Sequence, residues 1–225
     1  MFVRLFALFF PLVLTLNYFI LLADAPANVQ KTIFGIGKVI QFALPVFWLP
    51  IFSTLSAHHS SQRKGMLLGL LFGILAAALM LIAYFGFLVQ TGGLFAPDAP
   101  ARQEVISKMQ GFGIDSVPAL LLLGLFYSVI HSGLEEYYWR WFVYKKLAYS
   151  AVISSTGFTL HHILLLGTYF GYASPYCWIG SFGVFIGGLV WCQLYRWSGS
   201  LCAVWLSHGI VDTAIFTIAF FICKS

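Results

Sequence analysis

The run MLLGLLFGILAAALMLIAYFGFLVQ, residues 66–90, decides the fold. It contains no charged side chain, and Arg63-Lys64 stands just ahead of it. Lipid offers no partner to an unsatisfied backbone group, so such a run must be helical. About 20 residues then cross a hydrocarbon core of about 30 Å. Working outward from it, six further segments read the same way: 5–23, 34–55, 117–140, 150–170, 177–195 and 200–222. Pro11 and Pro45 fall inside the first two and predict kinks rather than breaks. The expected fold class is therefore all-α, a polytopic transmembrane helix bundle of about seven spans in a single membrane domain, 1–225.

Composition agrees with that reading. Hydrophobic residues make up 60% of the 225 and charged residues 8%, against roughly 25% charged in a soluble domain. So few charges cannot cover a water-facing surface, which excludes soluble globular, disordered and coiled-coil classes. The net charge of +5 does not signal nucleic acid, because Lys and Arg punctuate the ends of apolar runs instead of forming a stripe. Cys177, Cys192, Cys202 and Cys223 have no CxxC spacing and read as small buried hydrophobes. The pairs Arg63-Lys64 and Lys145-Lys146 favour a cytoplasmic N-terminus in a multi-pass cell-membrane protein. The apolar run of the first segment is too long for a signal peptide and is expected to be retained. The longest connection, 91–116, carries a stretch at 101–113 that would form a short surface helix.

Function is sought among the ionisable groups that fall within spans, where each costs at least about 2.5–3.5 kcal/mol. The chain has seven acids, and three of them, Glu135, Glu136 and Asp212, lie in spans, with His131, His161, His162, His208 and Arg140. His131 and Glu135 are four residues apart on one helix face, as are Glu136 and Arg140, and His208 and Asp212. Adjacent glutamates point about 100° apart on a helix. The expected division is Glu136 neutralised by Arg140, with Glu135 turned into a cavity. His161 reads as a neutral packing residue, and His131 as support or packing. Ser132 and Ser207 lie near histidines but form no convincing nucleophile–base pair. Ionisable faces on three helices are how a site is assembled inside a bundle.

Three motifs on those helices, Glu135-Glu136-Tyr137-Tyr138-Trp139-Arg140 (EExxxR), Phe158 to His162 (FxxxH) and His208 to Asp212, resemble in order and spacing the CAAX protease and bacteriocin-processing (Abi) family of intramembrane proteases. The flank Leu194-Tyr195-Arg196-Trp197-Ser198-Gly199-Ser200-Leu201 looks like that family's approach to its third motif. The resemblance covers roughly 117–222, leaving spans 5–23, 34–55 and 66–90 as generic membrane helices. Two positions depart from the family pattern: Asp212 stands where Asn is usual, and Trp141 where Gly is common.

The resemblance implies a peptidase acting on a peptide or protein, a C-terminal tail or a leader, associated with the bilayer. In it Glu135 is the general base assisted by His162, and His208 with Asp212 stabilises the oxyanion. Glu136, Arg140, His131 and Phe158 support them. No cofactor is favoured; a zinc ion is the alternative, with Glu135, His162 and His208 as ligands and a fourth position for water. The rival functions are a non-catalytic immunity or scaffold protein of the same fold and a small proton-coupled transporter.

Overall fold

The computed structural model describes residues 2–48, 59–90, 96 and 99–224, and among them all regular structure is helical. In chain order α1 is Phe2–Leu21, α2 Ala27–Trp48, and α3 His59–Ala83 continued by a π-helical turn at Tyr84–Leu88. Then follow α4 Pro100–Gly111, α5 Val117–Lys146, α6 Ala151–Phe170, α7 Pro175–Ser198 and α8 Leu201–Lys224. Six helices (α1, α3, α5, α6, α7 and α8) are long and apolar enough to cross a membrane. The chain is a multi-pass membrane protein. The expected span at 34–55 corresponds to α2 as far as Trp48; residues 49–55 lie outside the described ones, as does part of the 91–116 connection. The helix expected at 101–113 forms as α4, and α5 runs six residues beyond the expected 117–140.

Helix ends follow local chemistry. Ser150 caps α6 by accepting from the Ile153 N–H at 3.2 Å, and Gly171, at φ +83°, ends it in a conformation that other residues resist. Ser116 caps α5 in the same way.

The chain forms two compact units, each discontinuous in sequence. The first comprises 1–58 and 135–196 and holds α1, α2, the C-terminal part of α5, α6 and α7. Here α1 packs on α6. Pro11 has no N–H, so the carbonyl of Ala7 loses its helical partner. The Tyr138 hydroxyl donates to that carbonyl at 2.7 Å, and both residues are fully buried. A side chain of α5 thus supplies the donor that Pro11 withholds.

The second unit comprises 59–134 and 197–225. Its main packing is α3 on α8. Gly65, Gly69 and Gly73, spaced by four, lie on Ser198, the Ala203 carbonyl and Ser207. A Cβ at Gly69 would overlap that carbonyl, which is how small residues allow membrane helices to approach closely. The π-helical turn Phe126–His131 in α5 disturbs the regular hydrogen-bond ladder, and the Trp205 indole donates to the Val129 carbonyl at 2.7 Å. Arg102, 1% exposed, reaches from α4 to cap α8. Its guanidinium donates to the Ile222 carbonyl at 2.7 and 3.0 Å and to Phe221 at 3.1 Å. Cysteines differ from the expectation in part: Cys177 and Cys192 are buried, whereas Cys202 is exposed beside an apolar groove lined by Val129, Gly133 and Trp205.

Candidate active site

Glu135 and Glu136 sit in a short regular stretch of α5, Ser132–Glu136, between two π-helical segments. Both are buried, and they diverge as adjacent helical residues must. Glu136 faces Arg140, with Nε and Oε2 3.1 Å apart and neither side chain exposed beyond 1%. The guanidinium is further held between two aromatic faces, Phe158 at 4.5 Å and Trp191 at 5.0 Å. This is a desolvated ion pair inside an aromatic box.

Glu135 turns instead to α6. Its Oε1 lies 3.5 Å from Nε2 of His161, and one ligand atom each from Glu135, His161 and His162 fall within 4.8 Å of one another. The His161 ring is parallel to the Trp139 indole, 5.8 Å between centroids and 4° between planes. The His162 ring packs against Phe158 at 4.5 Å and against His161 at 4.2 Å.

One hydrogen bond fixes the chemistry of His162. Its Nδ1 lies 2.8 Å from the carbonyl of Phe158, one turn back on α6. A carbonyl only accepts, so Nδ1 carries the proton. In the neutral ring Nε2 is then left as the acceptor, the arrangement required of a base or a ligand. Phe158 thereby has two tasks: its ring covers Arg140 and its backbone orients His162.

In the second unit His208 and Asp212 face each other on α8, Nε2 to Oδ1 3.6 Å, with His208 buried. His131 packs at a tilt against Tyr127, 4.5 Å between ring centroids and 39° between planes. The structure therefore groups Glu135 with His161 and His162 in one unit, and His208 with Asp212 in the other. It pairs Glu136 with Arg140 as expected. The residue that sequence reading left out is His161, read as packing. The adjacent His161-His162 pair, three and four residues after Phe158, was the available signal.

The donor set of one carboxylate and two imidazoles has the composition of a catalytic zinc site. Among the described residues, Glu135, His161 and His162 bring such a set together within the first unit.

Residues 117–214 match the family model described as type II CAAX prenyl endopeptidase Rce1-like. This segment belongs to that family. The match contains all three motifs, from Glu135 through Asp212, and begins where α5 begins. Comparison with curated proteins and with solved structures gave no match. The Rce1-like segment thus draws on both units, and α1 and α2 lie outside it.

Proposed function

We propose that this protein is an intramembrane endopeptidase of glutamate type, cleaving a peptide or protein substrate near a prenylated C-terminal cysteine. The observation that supports it best is the buried Glu135 carboxylate set against His161 and His162, with the His162 tautomer fixed by Phe158. A carboxylate set beside two imidazoles can hold a water and accept its proton. In this reading a water held by Glu135 and Nε2 of His162 gives its proton to Glu135 as its oxygen attacks the scissile carbonyl. The C–N bond then breaks as that proton passes to the leaving amine. His208, oriented by Asp212, is assigned the donor to the oxyanion, the role the family resemblance gives it.

A zinc ion, if bound, would be held by Glu135, His161 and His162 and would supply Lewis-acid activation of water. We place the chain in the cell membrane with its N-terminus cytoplasmic, on the strength of the Arg63-Lys64 and Lys145-Lys146 pairs.

The test is cleavage of farnesylated peptides by protein purified into nanodiscs, read by mass spectrometry. Glu135→Gln and His162→Ala should abolish cleavage while the protein stays folded, and activity should survive exhaustive chelation. Cleavage undiminished in Glu135→Gln overturns the catalytic assignment. Activity lost on chelation and restored by zinc replaces the glutamate mechanism with the metal one.

A further inference from the structure

Two polar residues of α2 are unexplained by the machinery above. Lys38 lies in the first unit with its ammonium 5.5 Å from both the Phe34 and the Phe42 ring centroids. Phe42 in turn meets Tyr138 edge-on at 6.3 Å, one turn along α5 from Glu135. Among the described residues this ammonium makes no ion pair. Three residues on, on the same face of α2, Gln41 is 0% exposed, and neither its amide nitrogen nor its amide oxygen has a hydrogen-bond partner. Burying such a carboxamide unsatisfied costs about as much as burying a lost hydrogen bond twice over. Pro45 also removes the N–H that would bond the Gln41 carbonyl.

A cation and an unpaired amide donor, one helical turn apart on a helix that meets α5 through Phe42 and Tyr138, match one ligand group well. A carboxylate places one oxygen on the ammonium and the other on the amide N–H. We propose that Lys38 and Gln41 form a carboxylate-binding subsite that holds the substrate at a fixed distance from the bond cleaved at Glu135. The subsite's occupant is a peptide carboxylate, either the chain's free C-terminus or an Asp or Glu side chain near it. The proposal rests on the peptidase reading for its use, and its site lies outside the family-matched segment.

The experiment uses the full chain in nanodiscs and two readouts. The first is cleavage of one farnesylated peptide in three forms: C-terminal acid, C-terminal amide, and amide with an added Asp. The second is equilibrium binding of a dansylated apolar tripeptide as acid or amide, which needs no turnover. We expect KM for the acid to be about tenfold or more below that for the amide, as a charge-assisted bond implies. Lys38→Gln should bring this ratio toward one, and Gln41→Leu should narrow it. A Lys38 that merely balanced Glu135 would change acid and amide alike and leave the ratio intact, which overturns the subsite. If acid and Asp-amide behave the same, the group is any nearby carboxylate; if only the acid is preferred, it is the chain terminus. Should no peptide be cleaved, the tripeptide still decides. Tighter binding of acid than amide, lost in Lys38→Gln, upholds the subsite while the peptidase reading falls, and equal binding of both refutes it.

Discussion

Replacing Arg140 by Ala tests the division of labour between the two glutamates. Arg140 and Glu136 are 1% and 0% exposed, so water cannot solvate the carboxylate left behind. Removing one partner of a buried ion pair typically costs about 3–5 kcal/mol. The lost contacts with Phe158 and Trp191 add to this, since a desolvated cation over an aromatic face contributes about 2 kcal/mol. Against a total stability of about 5–15 kcal/mol, the variant should accumulate poorly and unfold early. Two companions separate charge from stacking. Arg140→Lys keeps the charge but loses the planar fit and should fall in between. The double variant Glu136→Gln with Arg140→Met leaves no unpaired charge and should recover most of the loss. Thermal unfolding in nanodiscs, with yield of monodisperse protein, measures all three. An Arg140→Ala protein that folds like wild type and lacks only activity would refute the structural role, and Arg140 would then belong with the catalytic groups.

Other outcomes follow from single contacts. Tyr138→Phe leaves the Ala7 carbonyl without a donor at the Pro11 kink and should cost about 1–3 kcal/mol, seen as a lower unfolding temperature in the same assay. Arg102→Ala uncaps the last carbonyls of α8, and hydrogen exchange should rise at that helix's C-terminus while the rest of α8 stays protected. Asp212→Asn keeps shape and removes charge beside His208; turnover should fall and the pH–rate profile shift with the fold intact, whereas equal or higher activity with an unchanged profile would show the carboxylate to be dispensable.

What the sequence disclosed and what it hid differ by the range of the interaction. The run 66–90 and its companions announce helices because every peptide group in lipid must be satisfied within its own segment, a local rule. The pairing of Glu136 with Arg140 was legible for the same reason: four residues on a helix is one face, whatever the tertiary fold. His161 was not. Only the approach of α5 to α6 brings His161 as well as His162 to Glu135, and no spacing along one helix encodes that approach. The Ala7 carbonyl illustrates the same limit. Pro11 tells any reader that a hydrogen bond is missing, but the donor is 131 residues away.

Lys38 and Gln41 are the sharpest case. In the string GIGKVIQF a lysine reads as a topology marker and a glutamine as a tolerated polar residue. Burial of the glutamine without a partner turns it into a cost, and the aromatic faces of Phe34 and Phe42 flank the ammonium one turn away on the same helix. A membrane helix tolerates such a pair only if something offsets it. Proline at 45 sharpens the point, since it withholds a further donor from the same turn. A helix outside the family match thus carries a buried amide that needs a ligand, and that is why substrate selection is sought on α2 and bond cleavage on α5 and α6.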